Sequence, residues 1–147
     1  MSNQEITQMK DRKVILSTLW IFVMFNYVYA DIIVMISNPA AYQNAAAKMT
    51  EGLVLGFAVL MEIAIAMVLL SRVLKYRANR WANIIAGIES TAFVSATLFG
   101  QKPSLAYAFF AAIEIVCTLF IVWYAWTWHN PETSPNKLRA IEPGENP

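Results

Sequence analysis

The sequence predicts an all-α fold: an antiparallel four-helix transmembrane bundle, N-in/C-in, with both termini on the cytoplasmic side. Three observations predict it. Of 147 residues, 58% are hydrophobic and only 14% charged, whereas an ordinary soluble domain is about one quarter charged. The apolar residues fall into four long runs, each near the ~20 residues a helix needs to cross a hydrocarbon core of ~30 Å. The basic residues lie between the runs, nine on one side and two on the other.

A polar segment, residues 1–13, comes first. Ser2 and Glu5 have capping-box spacing, so either a short interfacial helix or a frayed end leads into the membrane. No small-residue cleavage site follows a short apolar region, and the first run reads as a retained span rather than a signal peptide. That span covers 14–36. Ser37-Asn38-Pro39 ends it, because proline lacks an N–H and restricts the residue before it. Asn38 then caps a short helix over 39–48 with Pro39 at its first position, placed at the far surface as a lid on the bundle.

The second span covers 52–71 and leads into a short basic connection carrying Arg72, Lys75, Arg77 and Arg80. The third, 81–99, stops at Gly100-Gln101-Lys102-Pro103, a turn by its glycine and proline. The fourth, 105–128, stops at Asn130-Pro131. Residues 129–147 are rich in proline and charge and read as a disordered cytoplasmic tail. The chain is thus one transmembrane domain, 14–128, between two polar ends.

Orientation follows from the tendency of basic residues to remain in the cytoplasm. Lys10, Arg12 and Lys13 precede span one, four basic residues separate spans two and three, and Lys137 and Arg139 follow span four. Only Lys48 and Lys102 fall opposite. Tyr76, Trp81, Trp123, Trp126 and Trp128 then gather at the cytoplasmic interface, where amphipathic rings prefer to sit.

Composition also excludes. A net charge of +1 without a basic stripe gives no reason to expect nucleic acid as a partner. Cys117 is the single cysteine, so there is no intrachain disulfide and no zinc pattern; it reads as a small core residue. No Ser/His/Asp set, phosphate loop or nucleotide fingerprint is present, no cofactor is indicated, and an enzyme is the least supported class.

The informative residues are Asp31, Glu62, Glu89 and Glu114, one acid inside each apolar run. Each disfavours insertion by ~2.5–3.5 kcal/mol. Depth along the helices puts the three glutamates in a common layer with Asp31 nearer the non-cytoplasmic end. Helical periodicity aligns Trp20, Met24, Tyr27 and Met35 with Asp31, and Leu55, Ala58, Ile65, Ala66 and Leu69 with Glu62. Ala82, Ala96 and Gly100 align with Glu89 beside a second stripe of Asn83, Ser90 and Thr97, while Tyr107, Phe110, Thr118, Ile121 and Ala125 align with Glu114.

Two readings stay open. In one, the acids are protonated and hydrogen-bonded to Tyr27, Asn83, Ser90, Thr118 or one another as packing glue. In the other, Asp31, Glu62, Glu89, Glu114, Tyr27, Asn83 and Ser90 line a polar cavity for a proton, a cation or a basic small molecule. The three glutamates are expected to converge, and crowding in a low-dielectric interior favours the neutral form of at least one carboxyl. Four-helix bundles that hold two metals also need Glu-x-x-His on two helices. The only histidine, His129, lies beyond the last span, so no metal site is assigned; an all-carboxylate oxygen site is the remaining form.

Small residues let membrane helices approach closely, which predicts that span three, with Ala82, Ala86, Ala96 and Gly100, is central. Gly52 and Gly56 form Gly-x-x-x-Gly, expected to pack within the bundle, with a contact between protomers as the alternative. Asn26 points away from Asp31 and is expected to bond across to another helix.

The stretches Leu16-Ser17-Thr18-Leu19-Trp20-Ile21-Phe22, Asn26-Tyr27-Val28-Tyr29-Ala30-Asp31, Asn79-Arg80-Trp81-Ala82-Asn83-Ile84-Ile85 and Ile121-Val122-Trp123-Tyr124-Ala125-Trp126 resemble an uncharacterised family of small bacterial four-helix integral membrane proteins, a domain of unknown function. The resemblance implies four spans and a bacterial source and supplies no activity; the helical spans themselves read as those of an inner-membrane protein. Similarity to small multidrug-resistance exporters is looser: those carry one acid, in the first helix, and this chain carries one in each.

The expected function is that of a small transporter or ligand-binding membrane protein using its intramembrane carboxylates. The alternative is a structural or accessory subunit. Besides the lipid bilayer, a small cation or basic small molecule and a second copy of the chain are the expected partners.

Overall fold

A computed structural model of the protein describes residues 3–100 and 104–128, apart from the side chains of Glu5, Ala41 and Gly100. The proposed tail and the turn at 101–103 lie outside the described residues. Five helices follow in order: α1 (Asn3–Ser37), α2 (Pro39–Ala46), α3 (Glu51–Val73), α4 (Tyr76–Gly100) and α5 (Leu105–Trp126). Four of them, α1, α3, α4 and α5, are long and apolar enough to cross a membrane.

Local chemistry explains the boundaries. α1 runs unbroken from the polar N-terminal segment into the first span, and its 35 residues reach about 50 Å. Thr50 caps α3 by accepting from the Leu53 N–H, and Ser104 caps α5 by accepting from Tyr107, each offsetting an unpaired donor of a first turn. The basic connection shrinks to Leu74 and Lys75, because Arg77 and Arg80 already belong to α4. Leu74 turns extended, with its N–H still on the Leu70 carbonyl. α2 packs on α1, and its described side chains are exposed except for half-buried Ala45, so it does not lid the bundle.

The long helices form a ring in which α1 packs on α3 and α5, and α4 packs on the same two. The expected central position of span three is therefore corrected: no helix lies inside the ring. Its inward face follows the expected second stripe through Asn83, together with Ala86 of the small-residue stripe, rather than Ala82 and Ala96. Asn79, Asn83, Ala86, Gly87 and Val94 are buried while Ala96 is exposed. The close approach falls on Gly87, where an added Cβ would sit 2.6 Å from Val122 Cγ2 and 3.3 Å from the Thr118 carbonyl oxygen on α5.

The core gathers Leu16, Trp20 and Val23 with Ala64, Met67, Ala86, Ile121 and Trp128. All belong to the half of the bundle where the basic residues lie. The opposite half buries smaller apolar residues, Ala30, Val94 and Ala111. The end with the basic residues is the firm end of the bundle, and the other, packed through smaller side chains, is the more open.

Candidate functional site

The firm end is built on hydrogen bonds. Ser17, Ser71, Asn79 and Asn83 are fully buried, a burden that membrane helices carry only when each polar group finds a partner. Asn83 is the hub. Its carbonyl oxygen accepts from the Trp20 indole N–H at 2.8 Å and from the Ser71 hydroxyl at 3.2 Å. Its amide donates to Asn79 Oδ1 at 2.6 Å and to the Asn79 carbonyl at 2.9 Å. An amide offers two acceptor and two donor positions, and all four are used. Asn79 in turn donates to the Ser71 carbonyl at 2.5 Å, which closes the short link between α3 and α4. Asn83, expected to partner an acid, has no bond left to give one.

Cations seal the same end. A helix leaves its last carbonyls unpaired and partly negative. Lys13 donates to the Leu74 carbonyl at 2.6 Å, just past α3. Arg80 donates to the Trp126 carbonyl at 3.1 Å and lies over the Trp126 ring. Arg12 donates to the Tyr124 carbonyl at 3.4 Å, its guanidinium 4.9 Å from that ring's centroid. Arg72 donates to Ser17 Oγ at 3.0 Å, and Ser17 donates to the Val68 carbonyl at 2.8 Å. The basic residues that gather at one end of the bundle thus also cap helices. The sequence signal was present in Ser17, Trp20, Asn79 and Asn83; Asn83 stood out, but as a partner for an acid rather than for Trp20 and Ser71.

The acids separate. Glu114 lies on the inward face of α5 with Ala111, Cys117, Thr118, Ile121 and Ala125, as the helical spacing predicts. It is 5% exposed, and its Oε1 has no hydrogen-bond partner. Asp31 is exposed, toward the open end, and is close enough to Glu114 to interact electrostatically. Two tyrosines border the pair: Tyr27, whose hydroxyl meets Ser90, and Tyr107, which donates to Thr97 Oγ1 at 2.6 Å. Thr118 gives its hydroxyl to the Glu114 backbone carbonyl at 2.9 Å, so it does not satisfy the carboxyl.

Glu89 is half-buried on the α3-facing flank of α4. With Tyr27, Ser90, Phe57 and Phe93 it borders a cavity of about 20 Å³, which is room for one water. Glu62 is exposed on α3, on the side away from buried Ala64, Met67 and Ser71. Among the described residues no three of His, Cys, Asp and Glu come together as a metal-binding group. The expected convergence of Glu62, Glu89 and Glu114 is thereby corrected. Position along a helix does not set azimuth, and Glu62 occupies the face of α3 that the bundle leaves uncovered.

Two smaller expectations also change. An added Cβ at Gly52 or Gly56 would meet nothing within 4 Å, so neither glycine serves packing within the bundle. Asn26 is buried but donates to the Phe22 carbonyl of its own helix at 2.9 Å.

Four helices long and apolar enough to cross a membrane, packed around the buried carboxyl of Glu114, define the class. The chain belongs to the Family of unknown function (DUF6326), whose model matches residues 5–134. No curated protein and no solved structure matches the chain.

Proposed function

We propose that this protein is a small membrane transporter or ligand-binding protein in which Glu114, with Asp31 toward the open end, handles a proton, a small cation or a basic small molecule. The observation that carries the proposal is the unpartnered Oε1 of Glu114 inside the bundle. A buried polar atom without a partner is costly, and within membranes such acids mark ion and proton pathways by default. Tyr27 and Tyr107 lie within electrostatic reach of the carboxyl, with their hydroxyls bonded to Ser90 and Thr97. Exposed Asp31 offers a route to that carboxyl from the more open end. In this reading both termini face the cytoplasm of a bacterial inner membrane, on the support of the nine-to-two basic distribution.

The fully used amide of Asn83 favours a second reading, an accessory subunit, because a scaffold needs a dry and bonded interior. The test is flux into proteoliposomes, with protons, Na⁺, K⁺ and tetramethylammonium as probes under an imposed potential. Transport by the parent that falls at least tenfold in Glu114→Gln supports the first reading. Equal flux in both proteins would remove Glu114 from the pathway, and none in either together with no cation-dependent thermal shift selects the second.

A further inference from the structure

We propose that the outward face of α3 joins two copies of this chain in the membrane, with Glu62 of each at the two-fold axis. Glu62 stands at the middle of α3, eleven residues from either end of Glu51–Val73. Its direction is set by the helix. Ala64, Met67 and Ser71 are buried against the bundle, and a step of 100° per residue puts Glu62 almost opposite them. It shares that outward face with Leu55, Ala58, Ile65 and Leu69, which are exposed as well.

A carboxyl at mid-span facing hydrocarbon is disfavoured, and each half of the helix, about 16 Å long, is too long for the side chain to reach either water layer. Something polar must therefore meet it at that depth. A second copy does so by symmetry. Copies inserted with one orientation place residue 62 at one depth, and an isologous contact sets each patch against itself. A neutral carboxyl both donates and accepts, so two of them are complementary without any basic residue. The described spans offer no basic side chain at that level, for Arg72 and its neighbours lie at the helix end. Half-buried Ala66 and exposed Ala58 sit one turn to either side of Glu62, and small residues there allow the two backbones to approach. The proposal is independent of transport.

The experiment uses the full chain with Cys117→Ser, in native membranes, carrying one new cysteine at a time. Under copper phenanthroline, Ala58→Cys and Leu55→Cys are expected to give disulfide-linked dimers, and Val116→Cys on the outer face of α5 is not. In detergent, Glu62→Gln keeps the dimer, because an amide pair also bonds to itself, while Glu62→Leu raises the dissociation constant about three- to twenty-fold. Thermal unfolding of each variant confirms an intact bundle. Folded monomer with no cross-link at either α3 position, a dimer linked only through Val116→Cys, or an α3 cross-link to a different protein would each overturn the proposal.

Discussion

The indole N–H of Trp20 and the side-chain oxygen of Asn83 meet at 2.8 Å across 63 residues of sequence, joining α1 to α4 diagonally through the ring. Neither group has water to fall back on, since both residues are fully buried. The pair fixes the register of two helices that make few other contacts.

Replacing Asn83 with Leu should therefore destabilise the bundle by about 1–3 kcal/mol, the cost of leaving the Trp20 and Ser71 donors unpaired. Thermal unfolding in detergent measures it. Trp20→Phe combined with Asn83→Leu should cost less than the sum of the single changes, because one interaction is counted in both. Strict additivity would show that the bond contributes nothing.

Gly87 tests the α4–α5 contact. Gly87→Val should destabilise by about 1–3 kcal/mol through overpacking, since the new side chain would begin 2.6 Å from Val122 Cγ2. Val122→Ala should restore part of the stability of Gly87→Ala, the smaller change. No rescue in that pair would locate the tightness in the Thr118 backbone rather than in the valine.

Lys13 tests the capping of α3. Lys13→Met keeps the aliphatic stem and removes the ammonium that bonds the Leu74 and Arg72 carbonyls. Amide exchange over 72–79 should accelerate about three- to tenfold, in keeping with ~0.5–1.5 kcal/mol per bond. Unchanged protection there would show that water substitutes for the cation.

Topology can be read directly. A reporter inserted near Arg77 or placed after His129 should be active as a cytoplasmic fusion, and one at Gln43 on the opposite side. The basis is the clustering of basic residues toward one end of the bundle. Opposite signals at Arg77 and Gln43 would invert the orientation.

The four spans, the short helix after Pro39 and the inward face of Glu114 were legible because length, apolar run and 3.6-residue period are local properties of a chain. Which helix neighbours which was not. Glu62 and Glu114 look alike in sequence, each an acid half-way along an apolar run, and differ only in whether another helix lies across from them. Nor did sequence separate the two stripes of α4. Alanine size favoured the stripe through Ala82 and Ala96, whereas the burial of Asn79 and Asn83 follows from bonds that only the assembled bundle provides. Gly87, one glycine in an otherwise ordinary helix, gave no sign of Val122.

The hub at Asn83 also bears on how the protein is made. When α1 and α3 have been made, Trp20 and Ser71 each hold a donor whose acceptor, Asn83, is still to be synthesised. Asn79 and Asn83 enter beside Ser71 after a link of only Leu74 and Lys75, so α3 and α4 are suited to leave the insertion machinery as one hairpin. Nascent chains arrested before residue 83 would then remain bound to that machinery, and those extended past it would be released into lipid.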